Sequence, residues 1–222
     1  MTRRRLYFTI GSPFARAIRI MLDELGLEWE AELASIKDSA DERAARTPAL
    51  QVPTFFDGDL TLWDSGLVAE YLLSTYPERP DRGVLPPLAR SIARPGHEWT
   101  DRRLFATIQT LGQSTVLVSQ TRWAGTTARD NAFIARNADR VSRLLHWLDG
   151  QLPGNGEGFL PGCLSVQDVF AVCHLMFVTH RPLEIEWRRE ATPRLARLHD
   201  RLQERPSFRA NPIEWWEPGM PT

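Results

Sequence analysis

Ser12 stands between Gly11 and Pro13, where a short apolar run gives way to a helical pattern. A hydroxyl at that join has two uses. It can cap the helix, with Pro13 at the first helical position, where an N–H would be left over in any case. It can also aim a donor, backed by the partial positive charge of a helix N-terminus, at an anion that forms on another molecule. Local sequence by itself describes a cap, and the two uses are compatible. Tyr7 and Thr9 are competing hydroxyls on the preceding run. Strand packing accounts for the first, and packing or solvent for the second. Arg16, one turn after Ser12, either adds positive potential there or lies on an exposed helix face.

Other reactive residue types offer less. Cys163 and Cys173 come late in the chain and form neither a disulfide framework nor a C-x-x-C pair, so packing is their expected role. The five histidines show no H-E-x-x-H spacing and have no carboxylate or thiol cluster around them, and no metal is expected. The loop "PGNGEGFLPG" is glycine-rich but lacks the lysine and hydroxyl of a phosphate-binding loop. A formal net charge of -1 gives no electrostatic reason to expect nucleic acid or an anionic membrane as partner. The leader "MTRRRLYFTI" is basic, but its apolar run is short for a signal peptide, and no span approaches the ~20 apolar residues of a membrane helix. A soluble, cytoplasmic protein is expected.

The elements that must position these groups can be read in order. Leu6 to Ile10 reads as a strand buried on both faces. Phe14, Ile18, Met21 and Leu25 then recur at helical spacing, with Arg16, Arg19, Asp23 and Glu24 on the other side and Gly26 as the stop. Trp29, Ala31 and Leu33 alternate with Glu28, Glu30 and Glu32, a strand period. Ser39 and Glu42 fit a capping box for a short helix that ends before Pro48. "VPTFFDGDLTLW" reads as a hairpin, and helical spacing resumes from Ser65 until Pro77.

The proline-rich stretch that follows reads as a linker, and beyond it every convincing pattern is helical. Helices are expected over Glu98 to about Gln120, Arg129 to Gln151, Ser165 to Thr179 and Ala191 to Arg205, the third opened by a Ser165–Asp168 capping box. The fold class is therefore α/β plus all-α. A βαβαββα half occupies residues 1–77, a linker 78–92 and an all-helical half 93–222.

The elements "SPFARAIR", "TPALQVPTF", "LWDSGLVAEYL", "FLPGCLSVQD" and "RPSF", in this order and spacing over nearly the whole chain, resemble the cytosolic glutathione S-transferases, and the "SPF" element resembles their serine-type, tau-like members. The resemblance implies a thioredoxin-like N-terminal domain that binds glutathione as co-substrate, and a helical domain that forms an apolar site for a hydrophobic electrophile. It implies Ser12 as the catalytic hydroxyl, favouring the thiolate over a thiol whose free pKa is ~8.5. It implies that Val52 offers its backbone to the cysteinyl unit, after Gln51 and ahead of a cis Pro53. It implies that Asp64 and Ser65 hold the γ-glutamyl end, as acid to ammonium and hydroxyl to carboxylate.

Two residues depart from the family's habit. Asp64 stands where a glutamate is usual, and Thr47 where asparagine is frequent. No cysteine occurs in the N-terminal half, so a protein-based mixed disulfide at this site is excluded. The resemblance further implies a two-fold homodimer, detoxification chemistry, and an electrophile site bordered by the helix that begins at His97, Glu98, Trp99, Arg102 and Phe105. Packing or a solvated face accounts for most of those five. Trp215 and Trp216 either lid the apolar site or dock the terminus. A transferase fold used for binding or regulation without catalysis is the competing reading.

Overall fold

The computed structural model describes residues 4–35, 38–76, 86–181, 183 and 185–214. The first half runs β1 (Arg4–Phe8), α1 (Pro13–Leu25), β2 (Glu30–Leu33), α2 (Ala40–Ala44), β3 (Thr54–Asp57), β4 (Leu60–Trp63) and α3 (Ser65–Thr75). This is the βαβαββα order that the sequence predicts. The strands form one sheet in the order β2-β1-β3-β4, with β1 parallel to β2 and antiparallel to β3. The second half contains α4 (Glu98–Trp123), α5 (Ala132–Gln151), α6 (Val166–His180), α7 (Pro193–Gln203) and α8 (Pro206–Ala210), after a 3-10 turn at Arg189–Ala191.

Local chemistry sets the element ends. β1 stops two residues before Ile10 because the chain must turn: the Ser12 N–H donates to the Thr9 carbonyl at 3.2 Å. Gly26 ends α1 at φ 64, a conformation glycine adopts without steric penalty. Both bonds of the Ser39–Glu42 capping box form, at 3.2 and 2.7 Å. In the hairpin Asp57 pairs with Leu60, so Gly58 and Asp59 alone make the turn. The Ser165–Asp168 box also forms. Asp168 takes the Phe159 N–H as well, at 2.8 Å, and burial pushes its carboxyl up to about 6.

The last expected helix divides. Within the stretch read as one helix, Ala191 to Arg205, a 3-10 turn ends at Ala191 and α7 starts only at Pro193, while Pro206 opens a further helix, α8, just beyond it. Of the linker, residues 78–85 lie outside the described residues. Its remainder is docked on the helical half, where Leu164 and the Pro87–Ala89 segment exchange backbone hydrogen bonds at 2.8 and 2.7 Å.

α1 is the central element. It packs against α3 on the sheet side and against α6 and α8 of the helical half. Ala15, Ala17, Ile18, Ile20, Met21 and Leu22 have no exposed surface. Arg16 and Glu24 of its polar stripe are buried too, which amends the reading of Arg16. That side chain is 1% exposed, neither at the helix surface nor at Ser12. Its guanidinium donates to the Asn211 carbonyl at 2.5 Å and the Met176 Sδ at 2.8 Å. Glu24, 3% exposed, receives both forks of Arg205 at 2.8 Å. Paired in this way, the charges tolerate burial.

Candidate functional site

A cavity of about 680 Å³ opens between the two halves. Its walls bring together every residue assigned to the site from sequence: Ser12, Gln51, Val52, Pro53, Asp64 and Ser65. Three loops of the sheet half deliver them. The Thr9–Ser12 turn sets Ser12 at the N-cap of α1, the loop before β3 carries Gln51 to Pro53, and the end of β4 carries Asp64 and Ser65 onto α3.

Ser12 Oγ accepts the Ala15 N–H at 3.2 Å, so the cap is real. A hydroxyl that accepts through a lone pair retains its proton for donation, and the cavity is where that proton can go. Thr9 also lines the cavity, 9% exposed, so solvent is not its environment. Tyr7 is occupied elsewhere. Its phenol donates to Asp38 at 3.0 Å, and burial together with that carboxylate raises its pKa, which makes a phenolate less accessible.

The Val52–Pro53 peptide is cis. Asp64 caps α3: its carboxylate accepts the Leu67 N–H at 3.0 Å while its own backbone is held at φ 70. Positive φ is uncommon outside glycine, and aspartate is among the residues that tolerate it. Ser65 is the first residue of α3, 5% exposed, so its hydroxyl and the helix's leading N–H groups share one locus on the cavity wall. Gln109 of α4 donates to Ser65 Oγ at 3.3 Å. Gly66 permits this approach, since a Cβ there would lie 3.0 Å from the Gln109 amide nitrogen.

Several lining residues escape a reading of the sequence. Arg43 of α2 brings a cation to the wall near Gln51, with one N–H on the Ser35 carbonyl at 2.7 Å. From α4 the cavity receives Gln109, Gln113, Val116, Gln120 and Trp123, one stripe at helical spacing. That spacing was the available signal. His97, Glu98, Trp99, Arg102 and Phe105 lie outside the lining: Trp99 is 84% exposed, Arg102 pairs with Glu70 at 2.7 Å, and Phe105 meets Phe170 edge to face. Phe177 and Arg181, at and beyond the end of α6, complete the helical wall with Phe14 opposite. The Trp215–Trp216 tail lies outside the described residues. Among the described residues no three His, Cys, Asp or Glu side chains converge as a ligand set for a metal, and no helix is long and apolar enough to cross a membrane.

The arrangement is a two-part cleft. Its sheet wall carries charges of both signs, backbone and a hydroxyl at a helix N-terminus; its helical wall carries glutamines, aromatic surface and Arg181. Comparison with known proteins gives this cleft a context. The profile described as "Glutathione S-transferase, N-terminal domain" matches residues 6–80, and "Glutathione S-transferase, C-terminal domain" matches residues 131–201.

The Glutathione S-transferase-like protein tpcF of Aspergillus fumigatus is 28% identical over 212 residues, 88% of this chain and 89% of its own. The Glutathione S-transferase-like protein gedE of Aspergillus terreus is 38% identical, but over only 71 residues, 30% of each chain. A crystal structure of a glutathione S-transferase from Methylobacterium radiotolerans, in complex with glutathione sulfonate, superposes with a TM-score of 0.77 at 26% identity, covering 100% of this chain and 99% of that one. Matched in order by both domains of one family, and aligned end to end with the fold of a member, the chain belongs to the glutathione S-transferase family.

Proposed function

We propose that this protein is a serine-type glutathione transferase, which activates glutathione as a thiolate for attack on a hydrophobic electrophile. The observation that carries the reading is the union, in one cavity, of a hydroxyl at the N-terminus of α1 with charges that match glutathione. Asp64 faces the γ-glutamyl ammonium, Ser65 and the start of α3 face its carboxylate, and Arg43 faces the glycyl carboxylate. Val52 offers backbone to the cysteinyl unit as an added strand would. Residues 1–77 then serve as the glutathione-binding domain and 93–222 supply the electrophile wall. Ser12 acts as a donor to the sulfur and not as a base. Detoxification in the cytoplasm is the setting that this chemistry suits.

The test is a pH titration of the thiolate ultraviolet absorbance of bound glutathione, in wild type and Ser12→Ala. The bound thiol is expected to titrate below ~8.5 in the wild type and to return there in the variant. Turnover should fall about 10²–10³-fold, the usual effect of removing one anion-stabilising donor, with glutathione affinity little changed. Loss of the cap costs only about 1 kcal/mol of stability, so the fold survives the substitution. Glutathione bound with an unshifted thiol, or not bound, would make Ser12 a cap alone and the protein a binding or regulatory member of the family.

A homodimer is part of the proposal. Leu67 is 51% and Trp99 84% exposed. They leave a large apolar side chain at the surface on each of two helices, α3 and α4, that the Glu70–Arg102 ion pair ties together. Light scattering at micromolar concentration should give twice the chain mass. A monomer there removes the claim.

A further inference from the structure

Through Gln109 of α4 the helical half reaches the locus assigned to the γ-glutamyl carboxylate. Its side-chain N–H donates to Ser65 Oγ at 3.3 Å. A serine hydroxyl has one proton and two lone pairs, and its neighbours decide where the proton points. With Gln109 donating, a lone pair is occupied and the proton is left for a carboxylate in the cavity that both residues line. An amide turned over by half a rotation would present its carbonyl to Ser65, take that proton, and face the anion with an oxygen.

Two observations bear on that orientation. The amide nitrogen and Asp64 Oδ1 flank one point, 3.0 and 3.1 Å from where a Cβ on Gly66 would stand, so the field of the carboxylate favours the NH2 group on that side. The carbonyl oxygen Oε1 of Gln109 is buried, and among the described residues it has no hydrogen-bond partner. A buried acceptor in that state is rare and destabilising. Its occurrence on the side chain bonded to Ser65 marks a function rather than packing.

Resting on the transferase reading, we infer that Gln109 is a positioning residue for glutathione: it holds the Ser65 hydroxyl as a donor to the γ-glutamyl carboxylate, and so ties recognition by the sheet half to a helix of the other half. Gln109 acts through Ser65 and not on the sulfur, so affinity and not the chemical step carries its effect.

The probes are glutathione and 4-aminobutanoyl-cysteinylglycine, which lacks only the γ-glutamyl α-carboxylate, each titrated calorimetrically into wild type, Gln109→Met and Gln109→Glu. Wild type should bind glutathione the more tightly. That preference should fall about three- to tenfold in Gln109→Met, as for one lost hydrogen bond. Gln109→Glu keeps the shape but puts an acceptor and a negative charge where the donor was, and at pH 8 its preference should fall about ten- to hundredfold. The loss should shrink toward pH 5, because a carboxyl beside Asp64 takes up a proton above its usual range and then donates to Ser65 again. In both variants KM for glutathione should rise while kcat at saturation changes little.

Equal binding of the two ligands by wild type overturns the inference. So does a Met variant that weakens both alike or leaves both unchanged, and so does a Glu variant whose loss ignores pH. A preference that falls as expected in a protein that turns over no electrophile upholds the positioning role and removes the transferase reading. A wild type that binds neither ligand removes both.

Discussion

Acidification below pH 6.5 is expected to cost the folded protein about 1.4 kcal/mol per pH unit through His174 alone. The ring is fully buried on α6, edge-on to Phe14 and Phe170 with centroids at 4.8 and 6.2 Å. Among the described residues neither ring nitrogen has a hydrogen-bond partner. It packs so closely on α4 that a Cβ at Gly112 would fall 2.2 Å from the ring, which is why a glycine stands there. Burial without a partner for the charged form lowers its pKa from 6.5 to about 3.

Between those values the unfolded chain binds a proton that the folded chain refuses. The contribution is therefore intact above pH 6.5, shrinks as pH falls, and is gone near pH 3. The full interval sums to about 5 kcal/mol. His174→Phe keeps a flat ring against Gly112 and removes the proton site. Urea unfolding at pH 7.0, 5.5 and 4.5 should show a shallower acid slope in the variant. Asp168, raised to about 6, acts with the opposite sign, favouring the folded state as it takes up its proton. It is common to both proteins and cancels in the difference. Parallel pH profiles would show that the folded protein protonates His174 after all.

The second large effect is expected where α1 meets the C-terminal helices. Removing one partner of the Glu24–Arg205 pair, as Glu24→Leu or Arg205→Leu, should destabilise by about 3–5 kcal/mol, because the remaining charge stays buried. The pair is bidentate, its side chains 2% and 6% exposed, and Ser207 also donates to Glu24. Arg205 further donates to the Pro86 carbonyl at 2.8 Å, tying the linker to the same point. The double variant should recover much of the loss, since an apolar pair escapes the desolvation penalty that both charges carry. A double-mutant cycle on chemical denaturation measures the coupling. Additive single losses would mean that the two side chains act separately.

Much of the architecture was legible because the signals that set it are local. The two capping boxes, the Asp-Gly turn, Gly26 and the prolines at helix starts each act within about four residues of themselves, and the structure places elements where they say. Of the cavity residues, Ser12 belongs to the same class, since it sits at an element boundary that sequence marks, whereas Gln51, Val52, Pro53, Asp64 and Ser65 were placed at the site by the family resemblance. β2 marks the limit of local reading. Its alternation is real, but Leu33 is 60% exposed, while Glu32 is half-buried between Arg5 at 3.1 Å and Arg46 at 2.9 Å. Period identifies a strand; it does not say which face finds a cover, least of all at a sheet edge.

By itself, then, the sequence determined the order of elements, the ends that a cap, a glycine or a proline marks, and the hydroxyl at the start of α1. Tertiary structure decided the fate of the charges. Arg16 and Glu24 look like the wet side of an amphipathic helix until Asn211 and Arg205, 195 and 181 residues away, close over them. Arg43 and Arg181 look like surface arginines until one cavity gathers them. The physical reason is the same in each case: the free energy of a charge depends on what displaces its water, and that is supplied by segments remote in the chain.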